Sequence, residues 1–234
     1  MGERRVATRL ILFDFDGTLV DSQWTIVEAM GMAFAEVGLA PPDVAAVRRV
    51  VGLSLERALQ VLMDEGQVTE VESAAAVAIA HRYRRAHLEI RTRPDHLEPL
   101  FPGVRALLRG LDRPERFLGI ATGKSMDPLR HSLERHGLAH HFTTLQTADR
   151  NAGKPDPEMV RRAMDQMGVE PAETVMVGDT VYDMEMAGNA GVEALGVAWG
   201  YHHPDELRAA GAARILGTPG DLDELISSRE RDAT

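Results

Sequence analysis

The sequence predicts an α/β protein: an open sheet of parallel strands, with a small all-helical unit inserted after the first strand. Two observations carry this. Short apolar runs alternate with amphipathic helical patterns along most of the 234 residues, the signature of parallel strands joined by crossover helices. One stretch of roughly 70 residues, from about 22 to 92, shows helical patterns and no strand-like run.

The first strand is expected at Leu10–Phe15 (LILFDF), a near-continuous apolar run of the kind buried on both sheet faces. Three helices follow. One carries the stripe Ile26, Met30, Ala33, Phe34 and Val37, and a second carries Leu55, Leu59, Leu62 and Met63. The third is expected from Thr69, where T-E-V-E matches a capping box, to about Ile90. Breaks fall at Gly38–Pro42 and Gly52–Ser54, and Pro94, Pro99 and Pro102 mark the return. Helices over 103–111 and 158–167, and strands Phe117–Thr122, Thr174–Gly178 and Val192–Ala198, complete the pattern. The expected domains are a core of residues 1–20 and 96–234 and a helical domain of residues 21–95.

Hydrophobic residues at 44% and charged residues at 26% are ordinary for a globular chain. A net charge of −10 disfavours binding to a nucleic-acid backbone. The absence of cysteine removes disulfides, thiolate metal sites and a thiol nucleophile. The apolar run Leu10–Phe13 is too short for a signal-peptide core or a membrane span. The expectation is a cytoplasmic protein, monomer or homodimer, without a membrane or nucleic-acid partner.

Asp14 and Asp16 close the first strand in Asp14-Phe15-Asp16-Gly17-Thr18. On a strand of period two both carboxylates face one side, at the end where open α/β sheets bind ligands. A second acidic pair, Asp179 and Asp183, follows the strand Thr174–Gly178. Each pair alone also reads as ordinary punctuation, a strand-ending turn and a helix cap. Together, four carboxylates in one crevice repel by roughly 1–4 kcal/mol per close pair, and they stay ionised only around a cation. An all-oxygen set favours Mg²⁺.

Of 26 basic residues only Lys124 and Lys154 are lysines. Lys154 precedes a helix in a loop of turn residues, where a compact ammonium fits between a phosphate and a carboxylate. Lys124 reads as a surface residue. Thr122 and Gly123 offer a hydroxyl and backbone N–H groups at a strand end, an anion site. A nucleotide P-loop at Ala121–Ser125 fails for want of its first glycine, since Leu118 stands there. His140, His141, His202 and His203 read as exposed loop residues, and Arg82, Arg84, Arg85, Arg91 and Arg93 as a solvated helix face first and as help in drawing an anionic substrate to the cleft second.

In this order the motifs resemble the haloacid dehalogenase-like superfamily: Asp14-x-Asp16-Gly17-Thr18, a strand ending in Thr122, Lys154 before a helix, and Gly178-Asp179 with Asp183. The helical insert is similar to the cap of the phosphoglycolate phosphatase-like branch. The resemblance spans essentially the whole chain and implies a Rossmann-like core and Mg²⁺-dependent hydrolysis of a small phosphorylated metabolite, phosphoglycolate first among candidates. It implies Asp14 as nucleophile, Asp16 as general acid and base, and Lys154, Thr122 and Gly123 as holders of the phosphoryl oxygens. It also implies metal ligation by Asp14, the main-chain carbonyl of Asp16, and Asp179, with Asp183 assisting. A β-phosphoglucomutase-like transferase, an inorganic pyrophosphatase and an inactive binding module are the competing readings. Trp24, Arg57 and the loop at Gly52 are candidate contacts for the leaving group.

Overall fold

A computed structural model describes residues 7–65, 72–96 and 98–233. Six parallel strands form one sheet in the order β3-β2-β1-β4-β5-β6. They are β1 (Leu10–Phe13), β2 (Phe117–Thr122), β3 (Thr144–Thr147), β4 (Thr174–Gly178), β5 (Glu193–Val197) and β6 (Arg214–Leu216). β1 lies between β2 and β4, with Leu12 in register with Gly119 on one side and Met176 on the other. All four β1 residues are at most 1% exposed, which is why its sequence is apolar without alternation.

The period of two still sorts its side chains. Ile11 and Phe13 join one core, against Val104, Leu107, Leu108 and Leu111 of α5 (Val104–Leu111). That core also takes Leu129 and Leu133 of α6 (Met126–His136) and Leu222, Leu225 and Ile226 of the C-terminal helix. Leu10 and Leu12 join the other core. There they meet Met159, Val160 and Ala163 of α7 (Glu158–Met167), Met184 and Ala187 of α8 (Val181–Ala190), and Leu207 of α9 (Pro204–Ala209). The C-terminal helix is α10 (Pro219–Ala233). Helices on both faces of a parallel sheet are what the sequence predicted.

Between β1 and α5 the described residues form four helices, α1 (Gln23–Glu36), α2 (Val44–Val50), α3 (Leu55–Glu65) and α4 (Glu72–Arg91), of which α2 was not expected. Their apolar faces bury one another: Met30, Ala33 and Phe34 of α1 pack with Val47 and Val50 of α2, Leu59, Leu62 and Met63 of α3, and Ile79 of α4. The helix start expected at Thr69 lies outside the described residues. The two connections run side by side, where Asp21 N–H donates to the Pro99 carbonyl at 2.8 Å. Among the described residues no helix is long and apolar enough to cross a membrane.

Two strands differ from expectation in their bounds. β1 stops at Phe13 rather than Phe15. Its ladder ends as Asp14 N–H reaches Val177 O at 2.8 Å, and the Asp14 carboxylate then accepts from Phe15 N–H at 2.6 Å. Gly17, at φ +89°, completes the turn. A Cβ there would collide with the Asp179 carboxylate, so only glycine allows this approach. The last predicted strand loses one residue at each end and becomes Glu193–Val197.

Candidate active site

The chain steps from β1 to β2 and β3 on one side and resumes at β4 on the other. Sequence neighbours therefore separate between the C-terminal ends of β1 and β4, and this switch point is where open α/β sheets bind ligands. Asp14 follows β1 and Asp179 follows β4. Carboxylate oxygens of Asp14, Asp179 and Asp183 lie within 4.8 Å of one another, and all three residues are fully buried.

Lys154 bridges this group. Its Nζ stands 2.9 Å from Asp14 Oδ1 and 2.6 Å from Asp183 Oδ1, and its side chain is as inaccessible as theirs. Asp183 is the third residue of α8. Its Oδ2 accepts from Thr180 N–H at 3.0 Å and Thr180 Oγ1 at 2.8 Å. The helix cap and the site share one carboxylate: one oxygen closes the α8 N-terminus and the other is left for Lys154. Asp179 Oδ1 accepts from Thr18 Oγ1 at 2.8 Å, and its Oδ2 from Tyr201 N–H at 2.9 Å.

Burial pushes the Asp14 carboxyl up to about 7, against the pull of Lys154 and with the push of Asp183. Burial, then the charges of Asp14 and Asp183, hold Asp179 well above the usual carboxylate range. Lys154 is raised above its ordinary value: burial works against its charge, but Asp14 and Asp183 outweigh it. Two of the three acids resist ionising together with only one ammonium present. Asp14 Oδ2 is buried with no hydrogen-bond partner among the described residues, an all-oxygen corner that suits a hard divalent cation such as Mg²⁺.

Asp16 does not join this group by its side chain. Lying beyond the end of β1, it escapes the strand alternation and turns to other partners. Lys124 Nζ lies 2.9 and 3.0 Å from its two oxygens, and Ser22 Oγ donates to Oδ1 at 2.6 Å. Burial alone would raise Asp16, but Lys124 and Ser22 together hold it below the usual carboxylate range. Lys124, expected on the surface, is only 6% exposed in its side chain and is the principal partner of Asp16. Thr122 is buried at the end of β2, and its Oγ1 accepts from Lys124 N–H at 3.2 Å.

The helical insert closes over this edge. A Cβ on Gly123 would collide with the carbonyl oxygens of Gly52 and Leu53, and one on Gly52 would meet Thr180 Oγ1 at 3.1 Å. Tyr182 Oη donates to the Arg49 carbonyl at 3.1 Å, with His202 Nε2 3.3 Å from the same oxygen. Beside Gly123 a cavity of about 420 Å³ opens between insert and sheet. Asp16, Thr122, Gly123 and Lys124 line its floor; Met30, Val47, Val50 and Leu53 line one wall, and Tyr83, His87 and Arg91 another.

Of the candidate contacts for a leaving group, the loop at Gly52 lines this cavity. Trp24, at 65% exposure, and Arg57, which donates to Gln60, do not. His140 and His203 are exposed as expected, whereas His141, with Nδ1 2.7 Å from Asp112, and His202 are buried. Arg91 leaves the solvated face assigned to it and reaches the cavity. Ser22, Tyr83, His87 and Tyr201 carry no signal in the sequence, whereas Thr18 closes the motif that begins at Asp14. The rarity of lysine is a usable signal for Lys124.

A parallel sheet bearing a buried Asp–Lys–Asp constellation at its switch point, under a helical cover, is an α/β architecture with the parts for carboxylate chemistry. The profile of the haloacid dehalogenase-like hydrolases matches residues 11–197, and the chain belongs to that family. It is an enzyme, a phosphatase of that family. It is 37% identical over 212 residues to the Dickeya dadantii protein named "Probable phosphatase IndB", covering 89% of both chains. It is 36% identical to the phosphoglycolate phosphatase of Rhodospirillum rubrum, over 93% of this chain and 90% of that one. A hydrolase structure from Pseudomonas syringae superimposes with a TM-score of 0.81 at 28% identity, over 94% of this chain and 98% of that one.

Proposed function

We propose that the protein is a Mg²⁺-dependent phosphatase that releases phosphate from the monoester of a small metabolite through an aspartyl-phosphate on Asp14. The observation that carries this is the Lys154 ammonium, buried between Asp14 and Asp183 at 2.9 and 2.6 Å. It holds the Asp14 carboxylate in place and offsets its charge against an incoming phosphoryl group. Residues 21–95 act as the cap over a core of residues 1–20 and 96–234.

In the first half-reaction an Asp14 oxygen bonds to phosphorus as the bond to the leaving oxygen breaks, and Asp16 protonates the departing alkoxide. In the second, Asp16 takes a proton from water, the water oxygen attacks phosphorus, and Asp14 is freed. The arrangement described, with Asp16 paired to Lys124, is the base-ready one. Thr122, the Gly123 backbone and Lys154 hold the phosphoryl oxygens. Asp14, the Asp16 main-chain carbonyl and Asp179 would hold Mg²⁺, with Asp183 assisting. Bound there, the ion supplies Lewis-acid polarisation of a phosphoryl oxygen.

The test is release of inorganic phosphate from p-nitrophenyl phosphate, with Mg²⁺ and after chelation. Turnover that survives chelation, or conversion of a sugar phosphate to its isomer with little free phosphate, would overturn the reading. The name of the R. rubrum relative makes phosphoglycolate the first metabolite to assay.

Two further outcomes are expected. Because Asp14 holds its proton up to about pH 7 in the metal-free protein, Mg²⁺ must displace that proton. Its affinity should therefore rise between about pH 6 and about pH 8, as read by Mg²⁺ titration of the melting temperature. A Gly123→Ala substitution forces the Gly52–Leu53 turn away from the sheet. It should lower kcat/KM by about 10- to 100-fold with an unchanged circular-dichroism spectrum.

A further inference from the structure

Asp14, Lys154, Asp179 and Asp183 do not line the 420 Å³ cavity. It begins at Asp16, Thr122 and Gly123, where the leaving group must emerge, and continues into the cap. Its size falls in the roughly 300–1,000 Å³ range of pockets that bury drug-sized ligands, several times what the two carbons of glycolate fill.

Its walls differ in character. Met30, Val50 and Leu53 present an apolar face. Opposite them Tyr83, His87 and Arg91 succeed one another every four residues along α4, one polar stripe on one helix face. Burial holds the His87 ring down at about 3 and the Tyr83 phenol above its usual value, so both are neutral at pH 7. Lys124 is engaged by Asp16, and Arg84 pairs with Glu56. Arg91 differs: the charges of Glu98 and Asp127 act on it, yet its Nε and Nη1 are buried with no hydrogen-bond partner among the described residues, alone in this respect among those lining the cavity. A half-buried guanidinium with two buried, unfilled donors costs free energy until an acceptor arrives, and the best acceptor is a carboxylate.

We propose that this cavity takes a phosphomonoester whose leaving group is ring-sized, apolar on one face, and bears a carboxylate that Arg91 binds. The inference rests on the phosphatase reading and adds the substrate class to it. The ring lies against Met30, Val50 and Leu53, Tyr83 and His87 offer hydrogen bonds along its polar edge, and the carboxylate reaches the end of α4.

The test compares kcat/KM of the full chain for phenyl phosphate, 4-carboxyphenyl phosphate and phosphoglycolate, in the wild type and in Arg91→Met. In the wild type the carboxyphenyl ester should exceed phenyl phosphate by about 10- to 100-fold, as a charge-assisted pair in a buried site gives. It should exceed phosphoglycolate by at least about 10-fold. In Arg91→Met the ratio of carboxyphenyl to phenyl ester should fall towards one, and Arg91→Lys should keep part of it. Phosphoglycolate as the best of the three, no carboxylate preference in the wild type, or a ratio unmoved by Arg91→Met would each overturn the proposal. The wild-type order decides by itself if a variant fails to fold. Failure of the phosphatase reading has its own signature: no probe turned over above an Asp14→Asn control.

Discussion

Replacing Asp14 with asparagine should abolish phosphate release and at the same time raise the melting temperature of the metal-free protein. The first half follows from chemistry: an amide oxygen is a poor nucleophile towards phosphorus, and loss of a nucleophile costs at least about 10⁴-fold in kcat. The second half follows from the surroundings. The asparagine side chain keeps an oxygen for Phe15 N–H and Lys154, where Asp14 Oδ1 now serves both. Its amide nitrogen replaces Oδ2, which is buried without a partner, beside carboxylates that accept hydrogen bonds. Above about pH 7, where Asp14 is ionised, the substitution removes a buried negative charge at almost no steric cost. The gain should be about 1–2 kcal/mol, or about 2–8 °C for a chain of this size.

The pH dependence of that gain has a definite sign. A carboxyl whose folded pKa is raised to about 7 from 3.8 destabilises the folded state as pH rises between those values, because the unfolded chain releases the proton first. The advantage of the Asp14→Asn variant should therefore be fully present above about pH 7 and fade towards pH 4. Differential scanning calorimetry in a chelating buffer at both ends of that window measures it. Equal or lower stability of the variant at high pH would show that Asp14 is not held against its charge. Measurable turnover would remove it as the nucleophile.

Much of this site is legible because its parts sit at the ends of strongly apolar strands. LILF is buried on both faces wherever it folds, so the residues just after it emerge at the sheet edge, and Asp14 needs no more than that. The same holds for Thr122 after FLGIAT and Asp179 after TVMVG. β3 and β6 escape a reading of the sequence for the opposite reason. Thr144 and Gln146 are polar and buried, hydrogen-bonded to each other and to Gln166, and Arg214–Leu216 is a three-residue edge strand. Both exist by pairing with neighbours rather than by their own pattern. The strand period sets the Asp16 carboxylate beside that of Asp14, but it no longer applies once the ladder ends at Phe13. Lys124 and Arg91 look like surface residues because each lies among turn or charged residues. What buries them is the closure of the insert on the sheet, a contact between segments far apart in sequence that no local pattern encodes.

Replacing Lys154 with methionine, similar in length and uncharged, should be the most damaging single change in the protein. Asp14 and Asp183 would lose the ammonium that touches both, while remaining as buried as before. Removing one partner of a buried ion pair costs about 3–5 kcal/mol, which lowers the melting temperature by about 6–20 °C. Catalysis should fall by at least about 10³-fold, since the proposed mechanism sets the same ammonium against the developing phosphoryl charge. Lys154→Arg separates charge from shape. It keeps the positive charge, but the side chain it replaces is wholly enclosed, and a planar fork cannot occupy the site of a compact ammonium. Turnover should stay at least about 100-fold below wild type, and near-normal kinetics would show that charge alone suffices. The decisive measurement is the double variant. If Lys154 works by holding Asp14 against its charge, Lys154→Met should cost about 1–2 kcal/mol less in an Asp14→Asn background than alone, because one of the two stranded charges is already gone. Strict additivity would mean that Lys154 stabilises the fold through Asp183 only, and that the nucleophile is ionised by other means.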